Sequence, residues 1–296
     1  MSAPTLLDRP AEPGRAFILT VSCPDRLGIV HAVSGFAVDQ GLSIRDAQQF
    51  GDPSTDEFHL RMELTSVTGA VPVEDVRAAF EPVAQDFGMD VGLHDLADRH
   101  RVLIMVSQQG HVLNDLLYRW RSGHLPVDIP AIVSNHEAFA DLAAWHGIPF
   151  HHIPVTKATK PEAETRLREL IAEHDVDTVA LARYMQILSP ELCGDLAGRV
   201  INIHHSLLPS FKGAKPYTQA HDRGVKVIGA TAHYVTADLD EGPIIEQDFR
   251  RVDHRLTPDQ LATAGQELEA MAFARALTWH VEHRVVLRGR RTIVFN

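Results

Sequence analysis

Cysteine is scarce: the 296 residues hold two, Cys23 and Cys193, far apart and without CxxC spacing. That excludes a disulfide framework and a thiolate zinc site, and it suits a reducing compartment. Basic charge is also in deficit. Lysine and arginine total 28 against 39 acids, a formal charge of −11. This argues against a general nucleic-acid binder, which needs basic surface to displace counterions from phosphates. The cluster Arg288, Arg290 and Arg291 reads as a solvated strand end. No stretch approaches the roughly 20 apolar residues of a membrane-spanning helix. Residues 1–14, MSAPTLLDRPAEPG, carry three prolines and no long apolar run, so they read as a flexible tail and not a signal peptide. A cytoplasmic protein with neither nucleic-acid nor membrane partners is the expectation. Internal repeats and low-complexity tracts are missing, as are a GxSxG elbow and a GxxxxGK(S/T) loop. His136-Glu137 opens an HExxH match, but Ala140 stands where the second histidine belongs. His204, His205 and His233 leave a zinc site conceivable, without a cysteine or spaced carboxylate to complete it. No metal is expected.

What is present suits a soluble α/β protein of two domains. Apolar residues make up 45% and charged residues 23%, ordinary values for a globular chain. Over 15–95 the order reads βαββαβ. A β-like run at 17–21 leads to Cys23-Pro24-Asp25-Arg26, where Asp25 is placed to cap a helix carrying Ile29, Val30, Val33, Phe36 and Ala37 on one face. Gly41 stops that helix, and a strand at 42–50 follows. Phe58, Leu60, Met62 and Leu64 alternate with His59, Arg61 and Glu63, the pattern of a half-buried strand. Val73, Val76, Phe80, Val83 and Phe87 mark a second helix, and Met89, Val91 and Leu93 a last strand. This is a ferredoxin-like unit with helices on one face of an antiparallel sheet.

A charged stretch holds a linker at 96–100, and from 101 strands alternate with helices, implying a mostly parallel sheet. Candidate strands lie at 102–106, 129–134, 178–181 and 200–203. Thr257-Pro258-Asp259-Gln260 reads as a capping box opening a long helix, with Leu261, Ala264, Leu268 and Met271 as its buried stripe. A small hairpin at 285–295 closes the chain.

Ligands in open α/β sheets sit beyond the carboxyl ends of the strands. The 200–203 strand runs into Asn202-Ile203-His204-His205-Ser206-Leu207-Leu208-Pro209-Ser210. Asn202 and His204, two apart, leave the same face. An amide donor and an imidazole aimed at one point suit a carbonyl that becomes an oxyanion, although the pair also fits a structural role. A strand at 227–235 then enters Thr236-Ala237-Asp238-Leu239-Asp240-Glu241-Gly242-Pro243, and pattern alone does not choose among its three acids.

The runs NIHHSLLPSFKG and GATAHYVTADLDEGPIIEQ, with VDTVALARYMQILSP and IVSNHEAFADLAAWHGIPF, closely resemble the folate-dependent formyltransferase family over 101–283. That family includes glycinamide ribonucleotide transformylases and formyltetrahydrofolate deformylases. The resemblance implies a Rossmann-like catalytic domain over 101–296 and a catalytic trio Asn202, His204 and Asp240. It also implies a folate pocket along Arg183, Tyr184, Met185, Gln186, Ile187, Leu188, Val235 and Thr236. The folate is substrate, so no cofactor is implied. Burial of the Asp240 loop is expected to raise that carboxyl's pKa toward the operating range.

One departure bears on the acceptor. Nucleotide-using transformylases carry a Gly-Ser-Asn-rich loop after the first strand, whose amides cradle a phosphate. Here Ser107-Gln108-Gln109-Gly110-His111 stands instead, which favours water and hence a deformylase; Gly213-Ala214-Lys215-Pro216-Tyr217 looks like the deformylase version of its motif. The N-terminal unit, with Pro24-Asp25-Arg26-x-Gly28-Ile29-Val30, resembles an ACT domain. ACT plus formyltransferase is the deformylase arrangement. It implies hydrolysis of 10-formyltetrahydrofolate, a formate supply for purine synthesis, an amino-acid effector at Asp25, Arg26 and Gly28, and a homo-oligomer. The alternatives are transfer to an amine and a non-catalytic amino-acid sensor.

Overall fold

The computed structural model describes residues 15–67, 69, 71–209 and 216–296. The expected tail at 1–14 and residues 213–215 of the deformylase-like motif lie outside the described residues. Two compact units emerge, Met1–Arg99 with Val294–Asn296, and His100–Ile293.

The first unit runs β1 (Ala16–Pro24), α1 (Ile29–Asp39), β2 (Leu42–Asp52), β3 (Glu57–Ser66), α2 (Val73–Phe87) and β4 (Asp90–Asp95). Its sheet has the order β2-β3-β1-β4, antiparallel throughout, which is the ferredoxin-like path. Phe17, Leu19 and Val21, at period two, meet Val33 and Phe36 of α1 and Phe80 of α2 in one core. The Phe36 and Phe80 rings meet edge-on at 4.8 Å.

Two sequence expectations change here. Asp25 does not cap α1. The N-cap is Gly28, at φ 97°, without any side-chain cap bond, and the Asp25 N–H instead donates to the Asp56 carbonyl at 2.9 Å. The left-handed step, cheap only for glycine, turns the chain into the helix. Strand β3 is buried on both faces, not one: His59, Arg61 and Glu63 are 0%, 4% and 7% exposed. It lies between two other strands, and its polar side chains find partners there. Arg61 reaches Asp46 at 3.6 Å, and His59 Nδ1 pairs with Ser22 Oγ at 2.9 Å.

The second unit contains β5 (His100–Val106), α3 (His111–Arg121), β6 (Val127–Asp128), β7 (Ile132–Ser134), α4 (Ala140–His146), β8 (Phe150–His152), α5 (Lys160–Glu173), β9 (Thr178–Leu181) and α6 (Pro190–Asp195). It continues with β10 (Val200–His204), α7 (Pro216–Asp222), β11 (Val227–Tyr234), β12 (Ile244–Arg251) and α8 (Pro258–Val281). The hairpin β13 (Val285–Arg288) and β14 (Arg291–Val294) follows. The sheet order is β12-β11-β10-β9-β5-β7-β8, with β6 beside β5. Strands β5 to β10 pair in parallel, and β11 and β12 are antiparallel additions at one edge. This is a Rossmann-like, mostly parallel sheet with helices on both faces. Along β5, Val102, Ile104 and Val106 join the core shared with α3 and α8. Leu103 and Met105 point into the core shared with α5 and α6.

The expected strand at 129–134 shrinks to Ile132–Ser134, because Pro130 has no N–H to give to a ladder. In α8 the capping box is complete: Gln260 N–H donates to Thr257 Oγ1 at 3.3 Å, and Thr257 N–H to Gln260 Oε1 at 2.9 Å. Its buried stripe runs through Leu261, Ala264, Leu268 and Ala272, whereas Met271 is 45% exposed. Over a helix of 24 residues the 3.6-residue turn carries the buried face one position past Met271.

Candidate active site

Strand β10 presents Val200, Asn202 and His204 on one face. Val200 packs into the α5–α6 core, and the two polar residues follow it beyond that core, toward the strand's carboxyl end. In the β10–β11 register Asn202 stands opposite His233, beside an irregularity between Ala232 and His233. Such a bulge re-aims side chains. His233 Nδ1 donates to the Tyr234 carbonyl at 2.9 Å, which leaves Nε2 as an acceptor for Asn202 Nδ2 at 3.2 Å. Burial lowers the pKa of this ring, consistent with a neutral imidazole that orients the Asn202 amide and leaves its second N–H available.

The third group arrives on the loop after β11. A Cβ on Gly242 would lie 1.7 Å from the Tyr234 carbonyl oxygen, so only glycine lets the loop fold back against the strand. The Tyr234 N–H then donates to the Pro243 carbonyl at 2.9 Å, and Asp240 takes a left-handed φ of 56°. Its Oδ2 lies 3.3 Å from His204 Nδ1, and its Oδ1 lies 3.8 Å from His233 Nε2. Asp238 is exposed and Glu241 turns to Arg290 at 3.3 Å. Geometry thus separates the three acids that pattern left open. The expected rise of the Asp240 pKa is corrected: the hydrogen bond from His204 outweighs burial and holds the carboxyl below its ordinary value. His204 is 5% exposed, its Nε2 has no partner among the described residues, and its ring stacks on His205 at 4.8 Å.

Asn202, His204 and Asp240 line a cavity of about 320 Å³ together with Arg183, Tyr184, Met185, Gln186, Ile187, Leu188, Val235 and Thr236. Met185 and Ile187 are 57% and 59% exposed, so they are not core, while Leu188 is 7% exposed and belongs to it. Burial pushes the Tyr184 hydroxyl up to about 12. Arg183 borders the cavity, yet its guanidinium is committed to Gln109, His205 and Glu269. Sequence reasoning missed His233 as the group that orients Asn202 and missed Glu269 altogether. For His233 a signal existed: an imidazole near the end of the neighbouring strand, in register with Asn202. Glu269 gave none, since an acid in an amphipathic helix reads as solvated.

Asp25, Arg26 and Gly28 lie in the first unit at the β1–α1 turn. Arg26 donates to the Asp86 carbonyl and sits 3.9 Å over the Phe87 ring. Asp25 is in contact range of Gly51, whose Cβ would meet Oδ2 at 3.2 Å. Among the described residues no group of three His, Cys, Asp or Glu side chains is arranged to hold a metal ion, and no helix is long and apolar enough to cross a membrane.

The formyl transferase family profile matches residues 100–277. A formyltetrahydrofolate deformylase of Corynebacterium sp. (strain P-1) is 48% identical over 94% of this chain and 97% of its own length. The chain belongs to the formyltetrahydrofolate deformylase family. A crystal structure of a family member from Burkholderia mallei ATCC 23344 superimposes with a TM-score of 0.91 at 49% identity, over 95% of this chain and 100% of that one. Glycinamide ribonucleotide transformylase 1 from Symbiobacterium toebii, at 30% identity and TM-score 0.63, covers only 69% of this chain and 98% of its own. Deformylase relatives therefore extend over nearly the whole chain, which the transformylase does not.

Within this deformylase-family chain the loop after β5 is packed for itself. A Cβ on Gly110 would lie 2.4 Å from the Phe139 ring, which accounts for that glycine without a ligand. Ser107 Oγ donates to Asn135 Oδ1 at 2.7 Å and accepts from the Met185 N–H at 2.9 Å. A second recess of about 240 Å³ opens here, lined by Gln108, Gln109, Asn135, His136 and Gln186 among others.

Proposed function

We propose that this chain hydrolyses 10-formyltetrahydrofolate to formate and tetrahydrofolate, with Asn202, His204 and Asp240 as its catalytic residues. The carrying observation is the Asp240–His204 pair, at 3.3 Å, on the wall of a cavity whose other lining is mostly apolar and neutral, with the Arg183 guanidinium at its border. An ionised Asp240 accepts a proton from water as the water oxygen attacks the formyl carbon. The negative charge that develops on the formyl oxygen meets the second N–H of Asn202. Passed on from Asp240, the water's proton leaves His204 doubly protonated, with Nδ1–H on the regenerated Asp240 carboxylate and Nε2–H offered as a second donor. Each such donor is worth about 3 kcal/mol in the transition state. The C–N10 bond then breaks as N10 takes a proton from the His204–Asp240 pair, so one water is consumed and formate leaves. The folate lies along Tyr184, Met185, Gln186, Ile187, Leu188, Val235 and Thr236, with Arg183 behind them.

Water is favoured over an amine acceptor because the loop 107–111 has a single glycine, already packed on Phe139, and because the adjoining recess is lined mainly by carboxamides, with the guanidinium of Arg183 at its edge already held by Gln109, His205 and Glu269. Residues 15–95 form the regulatory, ACT-like domain in this reading, 96–100 the linker and 101–296 the catalytic domain. Asp25, Arg26 and Gly28 hold an amino-acid effector, and the protein is a cytoplasmic homo-oligomer whose formate feeds purine synthesis and balances the one-carbon folate pool. Incubation with 10-formyltetrahydrofolate alone tests the core of this: stoichiometric formate and tetrahydrofolate are expected. Formyl-amine replacing formate when amines are added supports transfer instead. Ligand-induced association without folate turnover supports a sensor.

A further inference from the structure

We infer that Arg183 is a positioning residue: anchored by Glu269, it fixes the tautomer of His205, so that His204 alone of the stacked pair takes up a proton in turnover. The inference rests on the hydrolytic reading above and adds to it a device that no catalytic trio contains.

Arg183 follows β9 at φ 65°, a left-handed conformation that a long side chain adopts only where its surroundings over-determine it. Its surroundings do. Nε and Nη2 donate to Gln109 Oε1 at 3.1 and 2.8 Å, Glu269 Oε2 lies 3.3 Å from Nε, and Nη1 meets His205 Nδ1 at 2.9 Å. Glu269, 1% exposed, also takes His111 Nε2 at 2.9 Å and the Tyr217 hydroxyl at 2.8 Å. Burial raises its pKa, but His111, Arg183 and Tyr217 together hold the carboxyl below its ordinary value. A buried cation thus has a buried anion, and both are hydrogen-bonded, the condition under which such a pair is tolerated.

A guanidinium only donates and does not give up its proton. The His205 nitrogen facing it must therefore be a lone pair, and the ring proton sits on Nε2. The charged and titratable groups facing His205 are Arg183 from the β9 side, Glu269 from α8, Tyr217 from α7, His204 in its own segment and Asp240 from the loop after β11. Protonating Nδ1 would set donor against donor and cation against cation. Burial first, and Arg183 second, lower this ring to about 4. His204, stacked at 4.8 Å, has the opposite neighbour, the Asp240 carboxylate. Two adjacent histidines are thereby made unequal by one guanidinium on one side and one carboxylate on the other.

The test is NMR of the full-length protein labelled with ¹⁵N-histidine, without substrate, from pH 5 to 8, with His205 assigned by its loss in His205→Gln. His205 is expected to stay neutral with Nε2 protonated throughout; an Nδ1-protonated ring, or one that titrates near pH 6.5, overturns the inference. The double variant Arg183→Met/Glu269→Gln removes both buried charges together. With burial still opposing charge, its His205 is expected to stay neutral but to lose the fixed tautomer, an Nδ1-protonated population appearing beside the Nε2-protonated one, with kcat down about tenfold and KM within about threefold. Lowered activity with an unchanged histidine spectrum marks a purely structural role and sinks the idea. If the double variant does not fold, the spectra of the unaltered protein decide. Absence of formate release from the unaltered protein overturns the hydrolytic reading instead, leaving the tautomer result standing.

Discussion

Replacing Asp240 by asparagine keeps the side chain's shape and removes its charge. The carboxylate lies 3.3 Å from His204 Nδ1, with the two side chains 13% and 6% exposed. At that separation, and with an effective dielectric near 20, a protonated His204 gains about 5 kcal/mol of attraction from Asp240. The amide supplies neither that attraction nor a site for the water's proton. A general base alone is worth roughly 10²–10⁴-fold. Asp240→Asn is therefore expected to lower kcat by about 10³–10⁴-fold, some 4–5.5 kcal/mol of barrier. KM should move less than about threefold, because the apolar wall of the cavity is untouched. The assay is formate release from 10-formyltetrahydrofolate, with a melting curve beside it to show that the variant is folded. A folded variant that keeps a tenth of the original kcat, or loses activity only through KM, refutes the assignment. The same charge has a stability signature. His204 lowers the folded-state pKa of Asp240, so its contribution is present above the unfolded value near 4 and is lost as pH falls through the folded one. Below about pH 4 the unaltered protein should lose stability more steeply than Asp240→Asn.

Gly242→Ala puts a Cβ 1.7 Å from the Tyr234 carbonyl, so the loop must leave the strand and carry Asp240 with it. Turnover should fall toward the Asp240→Asn level while far-UV circular dichroism stays unchanged; near-normal activity would falsify this account of the loop. Gly265→Ala would place a Cβ 2.0 Å from the Tyr217 hydroxyl and break its bond to Glu269, at about 1–3 kcal/mol in urea melts; a neutral effect would show that α8 and Tyr217 have room to shift. His280 sits between Thr178 Oγ1 and the Tyr234 hydroxyl, each at 2.8 Å, and burial pushes it down to about 3. Its unfolded ring binds a proton first, so its contribution is full above about pH 6.5 and declines below it, by up to about 1.4 kcal/mol per pH unit. Urea midpoints between pH 7.5 and 5 should therefore fall faster in the unaltered protein than in His280→Gln, and parallel slopes would refute the linkage.

Local rules carried the reading furthest where one element suffices. The Thr257–Gln260 capping box and the same-face spacing of Asn202 and His204 depend on residues within a few positions of each other, where backbone geometry alone dictates the outcome. The same rules failed where a distant partner intervened. Asp25 suits a helix cap, yet Gly28 makes the turn and Asp25 hydrogen-bonds to the Asp56 strand end. His59, Arg61 and Glu63 alternate like a solvated face, yet they are buried, His59 against Ser22 of β1 and Arg61 beside Asp46 of β2. Met271 drops out of its stripe through a fraction of a turn accumulated along α8.

By itself, then, the sequence determined the βαββαβ order of the first unit, the strand–helix alternation of the second, the end of the sheet that bears the polar residues and, through family-like motifs, the kind of chemistry to seek there. Residue pattern left three acids open and the family-like motifs pointed to Asp240; tertiary structure supplied the reason, folding the loop at Gly242 so that Asp240 faces His204 while Asp238 is exposed and Glu241 turns to Arg290. It alone brought Glu269 of α8 to Arg183 after β9 and set His205 against both. Charge pairing of that kind is invisible in a linear pattern: it depends on which side chains share a volume shielded from water, and that volume exists only once the sheet and its helices have closed around it.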